Sequence, residues 1–200
     1  MKKYILVLFT LLMAPLANAA PEFKEGVEYK VVQDTASNKP VVTEFFSYVC
    51  PHCYSFQPLM SKLEQRVPEL ELKKVPVSFL GRELGPVLQR AYGAAVLLKV
   101  DDTLNPVIFD RIHRQKKMPN NLAEIKAIFI ANGVAEKDFD GVINSFALNG
   151  MIAQYDKLTE RFDVHGTPTI VVKDKYELNM NEIGSEERFY QTVEYLLSLD

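Results

Sequence analysis

Between Gly81 and Phe162 the apolar residues of this chain recur at helical spacing, and on either side of that stretch they do not. This change of period narrows the fold more than any other feature. Val27, Tyr29 and Val31 alternate with Glu28 and Lys30, which predicts a short half-buried strand. A turn at Ser37-Asn38-Lys39-Pro40 leads into a more apolar strand, Val41 to Ser47. Cys50 to Val67 has helical spacing, with Phe56, Leu59, Met60, Leu63 and Val67 on one face, a kink expected at Pro58 and a stop at Pro68. Leu70 to Phe79 returns to strand character. Inside the helical block, one segment carries Val87, Ala91, Ala94, Ala95 and Leu98. A second is expected to open at Asn105-Pro106, as cap and first-turn proline. A third runs from Leu122 to Asn132-Gly133, a fourth carries Phe139 to Phe146 and stops at Asn149-Gly150, and a fifth carries Ile152, Tyr155, Leu158 and Phe162. Thr169 to Val172 is again a strand, Tyr176 to Asn179 its hairpin partner, and Ser185 caps a last helix. The order predicts an α/β sheet domain interrupted by a helical insertion.

The first residues read as an address. Lys2 and Lys3 precede an apolar run from Ile5 to Met13, and Ala17-Asn18-Ala19 supplies a small-x-small cleavage pattern, with the cut after Ala19. The run is shorter than the roughly 20 apolar residues a membrane span needs. Export implies an oxidising compartment. Losing Lys2 and Lys3 moves the formal charge from −3 to −5, so nothing electrostatic argues for nucleic acid or a membrane surface. With 48% hydrophobic and 24% charged residues the chain has the composition of a packed domain, not of a disordered one.

Only two cysteines are present, too few for a disulfide scaffold or a four-thiolate zinc site. They form Cys50-Pro51-His52-Cys53, between a strand and a helix. Pro51 suits the first helical position, where a backbone N–H has no partner anyway. Cys50 then stands at the helix N-terminus, where unpaired N–H groups and the helix dipole stabilise a thiolate, and a protonated His52 would add to that. Cys53 lies one turn further in, close enough to bond and sheltered. As a staple, a loop this short would contribute only about 2 kcal/mol, against about 4.7 for a loop of 100 residues. Haem attachment would need histidine directly after the second cysteine, and Tyr54 is there. The pair therefore reads as redox-active, and a low-pKa Cys50 tilts it towards oxidising other proteins.

Glu44-Phe45-Phe46-Ser47-Tyr48-Val49-Cys50-Pro51-His52-Cys53 resembles the active-site segment of the periplasmic DsbA family, and Phe79-Leu80-Gly81, the helical insertion and Gly166-Thr167-Pro168 fall where that family has them. The resemblance implies a thioredoxin-like fold with a helical domain inserted between sheet strands. Residues 20–80 and 163–200 would form the thioredoxin-like part and 81–162 the insertion, after a signal peptide at 1–19. It implies that Pro168 is the cis-proline facing the cysteines, although X-Pro bonds in general are cis in only about 5–6% of cases. Thr167 would pair its backbone with an extended substrate. This is also a departure: DsbA oxidases often carry valine there, and disulfide isomerases threonine. Glu44 reads on pattern alone as a solvated edge carboxylate. The resemblance instead implies a buried acid beneath Cys53 that relays its proton, with Lys74 nearby. His113, in the basic run Arg111 to Lys117, reads as part of a solvated helix face.

The function implied is a dithiol oxidase that passes the Cys50–Cys53 disulfide to unfolded exported polypeptides. It would be reoxidised by a DsbB-like, quinone-linked inner-membrane protein, with no bound cofactor or metal, as a monomer. The rival is a disulfide isomerase or reductase. Isomerases of this kind resemble dimers with an N-terminal dimerisation domain, and residues 20–49 are too few for one. Cytosolic thioredoxins typically carry tryptophan beside Cys-Gly-Pro-Cys, and this chain has none.

Overall fold

A computed structural model describes residues 22–199; the signal segment lies outside the described residues. The first strands and helix are β1 (Tyr29–Val31), β2 (Val41–Phe46), α1 (Pro51–Arg66) and β3 (Glu71–Pro76). Helices α2 (Leu84–Leu97), α3 (Asp101–His113), α4 (Leu122–Ala131), α5 (Glu136–Ile143) and α6 (Phe146–Arg161) follow, then β4 (Thr169–Val172), β5 (Tyr176–Leu178) and α7 (Glu186–Ser198). The strands form one mixed sheet in the order β1-β5-β4-β2-β3. Only β2 and β3 run parallel, joined by α1 as a crossover; the β1–β5, β4–β5 and β2–β4 pairs are antiparallel. This is the thioredoxin-like arrangement, with helices α2–α6 between β3 and β4 in the chain.

β2 is buried along its whole length because it lies between β3 and β4 and is covered on both faces. Its alternation divides the core. Val42, with Ile170 and Val172 of β4, packs under Met60 and Leu63 of α1 and Phe189, Val193 and Leu196 of α7. Phe45 and Val171 point the other way into a cluster that continues without a break through Ala91, Phe109, Ile125, Phe129 and Phe139 of the helical insertion. The insertion thus completes the core on one face of the sheet.

Most elements sit where their sequence period puts them, α1 among them, which runs through Pro58 to Arg66. The exceptions are instructive. α3 begins four residues before Asn105, which lies inside the helix and accepts a hydrogen bond from the buried Tyr48 hydroxyl instead of capping a terminus. The fourth helix ends at Ile143. Ser145 then caps α6, so Phe146 opens the next helix, 92% exposed, and Asn149-Gly150 lies within it. Glu28, expected to face solvent, is buried and bound by Arg188, and Val27 and Val31 are exposed along with Lys30, while Tyr29 is buried as expected. Gly133 ends α4 with φ +92°, a conformation that favours glycine.

Candidate active site

The redox turn is built by the end of β2 and the start of α1. Three residues, Ser47 to Val49, carry the chain off the sheet, and Cys50 is the N-cap of α1 with extended backbone angles (φ −83°, ψ 115°). Pro51 occupies the first turn, where its missing N–H costs nothing. The Cys53 N–H therefore points back at Cys50 and donates to its Sγ at 3.3 Å. Both cysteines are free thiols; Cys53 is fully buried and Cys50 only 6% exposed.

This geometry splits the two thiols. Cys50 is pulled well below an ordinary thiol, first by the hydrogen bond from the Cys53 side chain, then by the Thr167 side chain and the backbone N–H groups of Cys53 and His52, against a burial cost. Cys53 is pushed far up, because it is the donor to Cys50 and is itself desolvated. One sulfur is a thiolate in waiting, its neighbour a reluctant acid. His52 contributes through its backbone; its side chain is exposed and forms no hydrogen bond among the described residues.

Across from the pair lies the loop that enters β4. The Thr167–Pro168 peptide bond is cis, and the Cys50 thiol donates to the Thr167 carbonyl at 3.3 Å. The buried Thr167 hydroxyl lies near the Cys50 sulfur but makes no hydrogen bond of good geometry among the described residues. A cavity of about 630 Å³ opens beside this loop, lined by Thr167 and Pro168 and by Val27, Tyr29, Leu178 and Met180.

Glu44 is fully buried in the middle of β2, opposite Lys74 of β3 and Ile170 of β4. Burial pushes its carboxyl up to about 7, although Lys74 and Gln57 pull it down. Lys74 Nζ stands 3.8 Å from Glu44 Oε2, beyond a good hydrogen bond, and donates at 2.9 Å to Gln57 Oε1. Gln57 Nε2 in turn donates to Glu44 Oε1 at 3.3 Å and to the Cys53 carbonyl at 3.1 Å. The resemblance to the DsbA family points to Glu44 and Lys74 but not to Gln57, the residue that joins them to the cysteine turn. Its spacing of four from Cys53 on one helix was the available signal.

His113 was also misplaced. Its Nε2 lies 2.8 Å from the Tyr48 carbonyl and its ring stacks on Tyr54, so it belongs to the rim of the redox turn and not to a solvated face. His165 is exposed, beside Asp163.

What a reactive thiol with a sheltered partner does is exchange disulfides, and the sheet that carries it is thioredoxin-like. The class is accordingly a thiol-disulfide oxidoreductase. The family model for the DSBA-like thioredoxin domain matches residues 41–189. Among curated proteins, the thiol:disulfide interchange protein DsbA of Dickeya dadantii is 32% identical, over 99% of both chains. That of Haemophilus influenzae is 34% identical, over 98% of this chain and 99% of its own. Among solved structures, a cysteine-to-serine variant of Proteus mirabilis DsbA with a non-covalently bound peptide, PWATCDS, superposes with a TM-score of 0.82. It has 30% identity and covers 90% of this chain and 100% of its own. The chain belongs to the family of DsbA-like thioredoxin domains.

Proposed function

We propose that this chain is a periplasmic dithiol oxidase that donates the Cys50–Cys53 disulfide to newly exported polypeptides. In the oxidised enzyme a substrate thiolate attacks Cys50 Sγ, the Cys50–Cys53 bond breaks, and Cys53 leaves with the electron pair and takes up a proton. Glu44, poised near neutrality beneath the turn and linked to Lys74 through Gln57, supplies that proton. A second substrate thiolate then attacks the substrate sulfur of the mixed disulfide and expels Cys50. The substrate has lost two electrons and the enzyme holds two thiols. A DsbB-like, quinone-linked membrane protein takes those electrons back through the same face.

The observation that carries the direction is Cys50 at the N-cap with the Cys53 N–H on its sulfur. A stabilised Cys50 thiolate favours the reduced enzyme and makes Cys50 a good leaving group, as in the DsbA couple. The cavity beside Thr167 and Pro168 fits an extended segment pairing with the Thr167 backbone, and the peptide bound to the Proteus mirabilis relative supports that use. The sequence supports export with cleavage after Ala19, and no helix of the described residues is long and apolar enough to cross a membrane. We assign residues 20–80 and 163–200 to the thioredoxin-like part and 81–162 to the insertion, acting as a monomer.

The test is to replace Cys53 by alanine in cells and identify what stays bonded to Cys50. Recovery of many exported chains and a quinone-linked membrane protein is the expected result. An exchange equilibrium with glutathione as reducing as that of thioredoxin would overturn the assignment in favour of a reductase.

A further inference from the structure

The helical insertion meets the redox turn through one stripe of α3. Asn105, Phe109 and His113 recur every four residues and so share a face of the helix. Asn105 accepts from the Tyr48 hydroxyl, and Phe109 packs edge-on against Tyr48 with ring centroids 4.9 Å apart. His113 then touches both flanks of the cysteine pair. Its Nε2 is 2.8 Å from the Tyr48 carbonyl, two residues before Cys50, and its ring lies 5.1 Å from that of Tyr54, nearly parallel at 16°, one residue after Cys53. A carbonyl oxygen only accepts, so the hydrogen sits on Nε2.

Tyr48 is 1% exposed, and among the described residues no backbone N–H reaches its carbonyl. Without His113 that carbonyl would be buried and unpaired, and the turn would move to find water. The contact that would suffer is the one next along the chain. The 3.3 Å approach of the Cys53 N–H to Cys50 Sγ depends on how Ser47 to Val49 deliver Cys50 to the helix.

We propose that His113 is a positioning residue of the redox centre. By holding the Tyr48 carbonyl and the Tyr54 ring, it aims Cys50 at the first-turn N–H groups of α1, and so sets part of the oxidising strength of the pair. This rests on the reading of Cys50 as the exchanging thiol. A purely structural contact would weaken the oxidised and reduced proteins alike and leave their equilibrium untouched.

The test compares H113L, which has no donor, with H113Q, whose amide nitrogen reaches about as far as Nε2. The readouts are thiolate ultraviolet absorbance against pH and the exchange equilibrium with glutathione. For H113L the Cys50 titration moves up in pH and the equilibrium constant for oxidising glutathione falls about three- to tenfold, a drop of up to about 30 mV. H113Q stays within about twofold of the unsubstituted protein. Equal behaviour of H113L and the unsubstituted protein overturns the proposal, and so does an equal shift in H113L and H113Q. Should H113L not fold, H113N, whose amide is too short to reach, takes its place with the same two outcomes. A Cys50 titration in the unsubstituted protein at the free-cysteine value of about 8.5 would overturn the redox reading itself. A depressed Cys50 with unmoved variants overturns only the role of His113.

Discussion

Replacing Glu44 by glutamine isolates the cost of keeping an ionisable group under the redox turn. The carboxyl titrates at 4.5 in an unstructured chain and at about 7 in the fold, because burial penalises the charged form more than Lys74 and Gln57 favour it. Between those two values the native protein keeps a proton that the unfolded chain has released. Native stability therefore falls as pH rises through this window, and the loss is complete above about 7. The shift corresponds to about 3 kcal/mol. Glutamine fills the same volume, can still meet Gln57, and does not titrate. Reduced wild type and E44Q, unfolded in urea at a series of pH values, should differ by a small constant below about pH 4. The variant should then gain on the wild type by about 3 kcal/mol by about pH 8. With a denaturant slope of about 2 kcal/mol per molar, the midpoints separate by about 1.5 M. Both proteins carry the same cysteines, so thiol ionisation cancels in the comparison. A gap that stays constant across this range, or wild type gaining on the variant as pH rises, would refute the assignment of a buried, high-pKa carboxyl to Glu44. The same variant should slow release of Cys53 as a thiol, read as a slower single-turnover exchange with a model dithiol peptide.

Three other substitutions test separate parts of the argument. T167V removes a buried hydroxyl that makes no hydrogen bond of good geometry among the described residues but lies close enough to both sulfurs to lower them. The Cys50 titration should rise slightly and the oxidising equilibrium constant fall by about threefold at most with little change in stability, since so imperfect a contact contributes less than the roughly 1.5–3 kcal/mol of a full hydrogen bond to a charged group; an unmoved titration refutes it. G85A places a Cβ 2.1 Å from the Ser78 carbonyl oxygen and 2.3 Å from that of Leu80, both backbone atoms. It should cost at least about 2 kcal/mol in denaturant unfolding, and a neutral result would mean that the start of α2 yields easily. D174G acts in the opposite direction. Lys173 and Asp174 both hold positive φ in the three-residue connection between β4 and β5, and glycine at the second should stabilise by about 1 kcal/mol, seen as a higher melting temperature.

The reasons some residues were legible in the sequence and others were not are physical. Cys50 and Cys53 announce themselves because capping and spacing are local, as do the Ser185 cap and the Thr169 to Val172 strand. Misreadings occurred where a distant partner decides the environment. Glu28 alternates outward on pattern, but Arg188, 160 residues later, draws it in. Asn105 has the look of a cap until Tyr48, 57 residues earlier, brings its hydroxyl to it. His113 sits in a run of basic residues and is claimed by Tyr48 across 65 positions. Glu44 is ambiguous by periodicity because β2 lies inside the sheet, where both faces are covered and alternation carries no information. Gln57 went unnoticed for another reason: it is polar on a helix that also has a solvated side, and only β2 and β3 beneath it make that polarity matter.

The loop that faces the cysteines follows them by 117 residues, with the entire helical insertion between. A chain made from its N-terminus delivers the two thiols long before it delivers Thr167. β2 can pair with β3 early, whereas its other neighbour, β4, arrives only after α6. During that interval the segment that will hold the most reactive sulfur has one open sheet edge and no opposing carbonyl. The surroundings of Cys50 seen in the fold are therefore completed only once β4 is present. Along the chain, the insertion separates the residues that form the thiol pair from the residues that come to face it.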